Sequence, residues 1–171
     1  FENCTALTEV NYPTGWVSCP TRQINFSGPV YQGSIFSGCT KLKSIVVPEG
    51  VTSIPTCAFA YSSLANVALP STLTTIGSYV FDHCSSLTEI SLPSGLSTLG
   101  YGAFGYSKLT EISSPDSLQS INTDCFQACA DLKTITFNEG LLTIGEHAFA
   151  GCSALEQIHF PSSLTSIGYC A

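Results

Sequence analysis

The stretch LTEISLPSGLSTLGYGAF, residues 87–104, decides the architecture. Leu87 is followed three residues on by Ile90, six on by Pro93, nine on by Leu96, twelve on by Leu99 and seventeen on by Phe104. Ile90 and Leu92 alternate with Glu89 and Ser91, the period of a strand with one buried face, and Pro93 ends the ladder because it has no N–H to donate. The equivalent of its second half, Leu73-Thr74-Thr75-Ile76-Gly77, is rich in β-branched residues. It predicts a second short extended segment, closed by a glycine suited to a left-handed turn. The Ala103-Phe104 corner is too short for a long helix and predicts a turn or a single helical turn, with the phenylalanine filling the middle of a coil.

The same spacing runs through the whole chain. Phenylalanines at 1, 36, 59, 81, 104, 126 and 149 divide the 171 residues into seven units of 35, 23, 22, 23, 22, 23 and 23 residues. Each unit has its leucine (Leu7, Leu42, Leu64, Leu87, Leu109, Leu132, Leu155) and, three residues later, an Ile or Val. Proline follows in six units, Asn138 standing in its place in the other. One coil cannot bury its own leucines, whereas stacked coils share a continuous interior. Both 22-residue units lose a residue between Phe and Leu and carry Tyr61-Ser62 or Tyr106-Ser107 where others have cysteine. The expectation is that the tighter corner removes a thiol-sized cavity while serine caps backbone groups. The first unit carries an insertion at about 17–35.

Written as L-x-x-I-x-[apolar]-P-x-x-L-x-x-I-G-x-x-A-F-x-x-C-x-x, the unit resembles the leucine-rich repeats of the BspA-like family, over residues 1–171. The resemblance implies a single domain shaped as a right-handed, curved leucine-rich-repeat solenoid, made mostly of short parallel β-strands with turns or short helical turns at the corners. It also implies a surface or secreted protein that adheres to host extracellular-matrix proteins or cells. Neither end carries a polar capping unit, so the sequence reads as a fragment of a longer protein.

Composition narrows the partners. The chain is 44% hydrophobic and 10% charged, against roughly 25% charged in an ordinary domain. Its net charge of −7, without a basic cluster, disfavours nucleic acid. No apolar run approaches the length of a membrane-spanning helix, about 18 residues.

Chemistry-bearing residues are sparse. Cys4, Cys39, Cys84, Cys129 and Cys152 share one repeat position and read as buried thiols. Strand spacing of ~4.8 Å also admits disulfides between adjacent coils, namely Cys129–Cys152 and Cys4–Cys39. Cys19, Cys57, Cys125 and Cys170 form no C-x-x-C pattern, and His83, His147 and His159 are scattered. No metal site, cofactor or catalytic residue is therefore expected, and no hydrolase elbow or zinc-protease motif occurs.

What varies between coils is the outward side of the first strand: Glu9, Asn66, Glu89 with Ser91, Glu111 with Ser113, Thr134 with Thr136, and Gln157 with His159. Together with Trp16 beside the insertion, these are the candidate ligand-binding residues of a non-enzymatic protein-binding module. Two alternatives stand beside that reading. One is a spacer with no ligand of its own. The other is a glycan-binding repeat that uses the column Ser53, Thr75, Thr98, Ser120, Thr143 and Ser166. The triplets at Asn3 and Asn25 match the N-glycosylation pattern.

Overall fold

A computed structural model describes residues 1–16 and 35–171. The insertion, with Cys19 and Asn25, falls outside the described residues except for Ile35. Among the described residues, ten short strands follow one another: β1 (Ser44–Val46), β2 (Ser53–Ile54), β3 (Asn66–Ala68), β4 (Thr75–Ile76), β5 (Thr98–Leu99), β6 (Glu111–Ser113), β7 (Ser120–Ile121), β8 (Thr134–Thr136), β9 (Thr143–Ile144) and β10 (Ser166–Ile167). All pairing is parallel. Ile45 lies opposite Val67, Ile112 opposite Ile135, Ile54 opposite Ile76 and then Leu99, and Ile121 opposite Ile144 and then Ile167. Each register step is one repeat, which makes the molecule a parallel β-solenoid with two columns of strands. The described residues contain no helix, so the corners are turns and not single helical turns.

Repeat positions translate directly into burial. Phe36, Phe59, Phe81, Phe104 and Phe126 are all but fully buried and stack along the axis, ring centroids 5.4–5.9 Å apart and planes within 14°. Around them lie Leu42, Leu64, Leu87, Leu109 and Leu132, with Ile54, Ile76, Leu99, Ile121 and Ile144 on the second strand. Each such side chain contributes roughly 1.5–3 kcal/mol on leaving water.

The corners are built differently from the sequence expectation. Gly77, Gly100, Gly145 and Gly168 are absent from the residues with positive φ. Their requirement is closeness to the preceding coil, since a Cβ on Gly100 would lie 2.3 Å from the backbone nitrogen of Ser78 and one on Gly145 2.5 Å from that of Thr123. Left-handed backbone falls two residues before and two after the phenylalanine, mostly on non-glycine residues: Cys57, Tyr79, Asp124, His147 and Cys170 in one column, and Asn3, Tyr61, His83, Tyr106 and Ala128 in the other. That conformation costs an L-residue roughly 1–2 kcal/mol. It is offset by aiming the N–H at the next coil: Tyr61 donates to the Asp82 carbonyl at 2.9 Å, His83 to Gly105 at 2.8 Å and Tyr106 to Gln127 at 2.7 Å.

Both candidate disulfides are open. Cys4, Cys39, Cys129 and Cys152 are free thiols, as are Cys57, Cys84, Cys125 and Cys170. The physical reason is that the corner position already satisfies the sulfur. Sγ of Cys39, Cys84, Cys129 and Cys152 donates to the carbonyl of the phenylalanine one coil earlier, at 3.2–3.3 Å. In the short corners the serine hydroxyl meets a thiol instead of capping backbone. Ser62 Oγ lies 3.5 Å from Cys84 Sγ, and Ser107 Oγ 3.2 Å from Cys129 Sγ.

Candidate surface groove on the first strand column

Alternation along each first strand turns residues such as Ile45 and Ile112 into the core and their neighbours outward. Across four successive coils the outward side chains line a groove of about 780 Å³. Its walls are Ser44 and Val46, Asn66 and Ala68, Glu89 and Ser91, and Glu111 and Ser113; Ile45, Val67, Ile90 and Ile112 lie beneath, with Leu69 and Leu92 along one side. Of the residues singled out by sequence, Asn66, Glu89, Ser91, Glu111 and Ser113 are thus brought together. Thr134 and Thr136 continue the surface on β8 beyond the groove, while Glu9, Gln157 and His159 are exposed outside the strands.

Trp16 does not belong to the surface. It is 7% exposed, packed edge-on to Phe36 and Phe59 at 5.6 and 6.4 Å and against Tyr12 at 5.2 Å. Its place nine residues after Leu7 is the repeat's third apolar slot, and a large ring in that slot goes inward. The Tyr12 hydroxyl beside it has its pKa pushed up to about 12 by burial. Sequence reasoning underrated Val46, which is 69% exposed in the groove wall. An apolar residue on the outward side of a strand was the available signal.

The groove is acidic. Among the described residues, Glu89 and Glu111 are its charged lining residues and no cation lines it. Neither carboxylate forms an ion pair or a hydrogen bond with another described residue; elsewhere among the described residues Asp131 pairs with Lys108, and Asp82 and Asp124 lie beside the imidazoles of His83 and His147. The strand ladder is also open at this point, as it is at residues 9–11 and 157–159. β1 pairs with β3, and β6 with β8, but residues 89–91 between them form no strand. Among the described residues, the backbone groups of Glu89, Ile90, Ser91 and Leu92 make no hydrogen bond. The second column breaks at the same level, β5 being unpaired with β7. Side chains bridge that gap: Ser117 Oγ donates to the carbonyls of Ser94 and Leu96 at 2.8 and 2.6 Å, and the Asn122 amide donates to that of Leu99. Backbone bonds from Gly102, Phe104 and Tyr106 to the next coil hold the phenylalanine corner closed.

Elsewhere, several titratable groups are absorbed into packing. His83 stacks between Tyr61 and Tyr106, centroids 4.3 Å away on each side, and its Nδ1 lies 2.8 Å from the buried Asp82 carboxylate. Burial pushes the thiols of Cys84 and Cys129 up to about 12 and that of Cys152 up to about 11, so at neutral pH they are protonated and poor nucleophiles. The hydroxyl column is partly self-satisfied, Thr143 Oγ1 donating to Ser120 Oγ at 2.8 Å. No helix among the described residues is long and apolar enough to cross a membrane.

Comparison with known proteins places this geometry. No curated protein matches the chain. Among solved structures, a leucine-rich repeat protein from Bacteroides ovatus is 29% identical, with a TM-score of 0.64, over 78% of this chain and 41% of its own. The T. pallidum leucine-rich repeat protein is 24% identical (TM-score 0.55; 71% of this chain, 68% of that one), and one from Eubacterium ventriosum 23% identical (0.54; 80% and 43%). These two share the fold. The chain spans less than half the length of the B. ovatus protein. The family model for the BspA-type leucine-rich repeat region matches in six copies, over residues 1–133 and 119–171, and so the chain belongs to the BspA-type leucine-rich repeat family.

Proposed function

We propose that this chain is a non-enzymatic protein-binding module of a cell-surface or secreted protein, adhering to host matrix or cell-surface proteins through the outward face of its first strand column. The observation that carries this reading is the groove across four coils, in which Asn66, Glu89, Ser91, Glu111 and Ser113 converge. Stacked coils hold these side chains on a fixed backbone, so docking loses little ordering entropy. The repeat family supports a protein-interaction role in general terms. A spacer with no ligand is the competing reading. A glycan-binding role gains nothing from the hydroxyl column, part of which is engaged in bonds of its own.

The test is capture of immobilised matrix proteins by the purified chain and by variants carrying tryptophan at Ala68 and Ser113. Both positions are exposed, so bulk there blocks the groove without entering the core. Binding that weakens about tenfold or more, a loss of at least ~1.4 kcal/mol, supports the groove. Equal binding by the variants moves the surface elsewhere, and no binding at all by the parent chain favours the spacer.

A further inference from the structure

Glu89 and Glu111 occupy the same repeat position on adjacent coils, so in a closed ladder they would be cross-strand neighbours. Like charges directly opposite one another work against pairing. The first strand column lacks its rung here, as it also does at residues 9–11 and 157–159, and the second column is unpaired at this level. Farther along the groove, Val46 and Ala68 expose apolar surface next to Leu69. The groove therefore offers an uncompensated acidic seat at one end and an apolar seat at the other, with the free backbone of Glu89–Leu92 in the acidic half.

We infer that the groove receives an extended segment of a partner protein bearing a lysine or arginine, which sits between Glu89 and Glu111, and an apolar side chain, which covers Val46 and Ala68. The inference rests on the protein-binding reading of the same groove and names the partner's chemistry. Coils about 4.8 Å apart put the two seats roughly 10–12 Å from one another, so the two side chains stand about four residues apart in an extended chain, an even spacing that puts both on one face. A cation between the carboxylates removes their mutual repulsion, which disfavours pairing of these two coils. Binding and closure of the rung are thereby coupled, and the free protein gives up some stability to keep the seat open.

The test uses the whole chain and two synthetic twelve-residue peptides, one with Lys and Leu four residues apart in an otherwise Ser/Thr background and one with Glu in place of that Lys. Titration by calorimetry is paired with backbone hydrogen exchange. The lysine peptide is expected to bind, to weaken as salt is raised, and to slow exchange of the amides of residues 89–92. The double variant Glu89→Gln/Glu111→Gln is expected to weaken the peptide about tenfold or more while melting at a higher temperature than the parent. Attraction by net charge alone is controlled with Glu146→Gln/Glu156→Gln, the same charge change at exposed sites off the groove. If that control weakens the peptide equally, or if the groove double variant leaves both binding and melting unchanged, the inference is overturned. If the lysine peptide fails to bind while tryptophan at Ala68 and Ser113 still blocks a matrix protein, the partner chemistry is wrong and the groove stands. Failure of both sets of variants to alter any binding removes the groove as well.

Discussion

At the residue scale, departures from the repeat consensus are informative because each is answered by a neighbour one coil away. Glu49 accepts hydrogen bonds from the backbone nitrogen and hydroxyl of Ser71, both at 3.0 Å, and Glu139 binds Ser162 in the same way at 3.1 and 2.9 Å. Bonds from the Ser71 backbone, then from its side chain, hold the Glu49 carboxyl below the usual glutamate range. A carboxyl whose pKa is lower folded than unfolded adds stability that is complete above the unfolded value, about 4.3, and is lost as pH falls through the folded one. Melting temperature measured from about pH 6 down to pH 2.5 should therefore drop less steeply below pH 4.3 in Glu49→Gln than in the parent, with the two curves offset at neutral pH. Parallel curves would mean that the carboxylate contributes nothing to coil–coil cohesion. The effect is small, because Glu49 is exposed and screened by solvent.

At the element scale, what could be read from sequence was everything governed by periodicity. The second strands at 53–54, 75–76, 98–99, 120–121, 143–144 and 166–167 all form where Ile or Leu recurs, and the phenylalanines stack as the spacing requires. The first strand was legible at Ile45, Val67, Ile112 and Ile135 but not at Val10, Ile90 or Ile158, because pairing depends on which residues the adjacent coils set beside it. The glycine of the I-G step was misread for a similar reason: φ and close approach both select glycine, and a single sequence does not tell them apart. Groove residues were legible as a column, whereas Trp16 and the extent of the groove depended on three-dimensional neighbours. Asn138, the residue in place of proline, shows the same logic. Its N–H donates to Ser114 Oγ at 2.9 Å, its side-chain amide to Ser114 Oγ and to the carbonyls of Pro115 and Leu118, and its Oδ1 accepts from Gly140. Restoring the consensus with Asn138→Pro removes every one of those donors and leaves the carbonyl of buried Leu118 unpaired, while that of Pro115 keeps the Leu118 N–H. It should cost about 1–3 kcal/mol in denaturant unfolding. A neutral or stabilising result would show that the repeat proline suits this coil as well as the others.

For the whole molecule, each coil touches only its neighbours, so stability is shared along the stack and units can be removed in register. Excising residues 59–103 takes out two complete units and joins Ala58 to Phe104, which renews the Ala-Phe corner and sets Phe36 against Phe104. The junction changes two contacts for the worse, the first being Asn122 in the place of Gly77, where a Cβ would lie 2.7 Å from the Thr56 backbone nitrogen. Ser71, the partner of Glu49, is replaced by Asp116, which follows Pro115 as Ser71 follows Pro70. Two carboxylates then face one another across the new interface. The shortened chain should keep a cooperative melt at a reduced temperature, and adding Asp116→Ser should recover part of the loss by restoring the staple. The same deletion removes Asn66, Ala68, Glu89 and Ser91 and with them the middle of the groove. A spacer survives it with only a shorter reach, whereas a docking surface loses its partner even when Asp116→Ser has restored the fold. Capture of matrix protein by the rescued deletion at the parent's level would thus remove the groove from the molecule's function while leaving the solenoid intact.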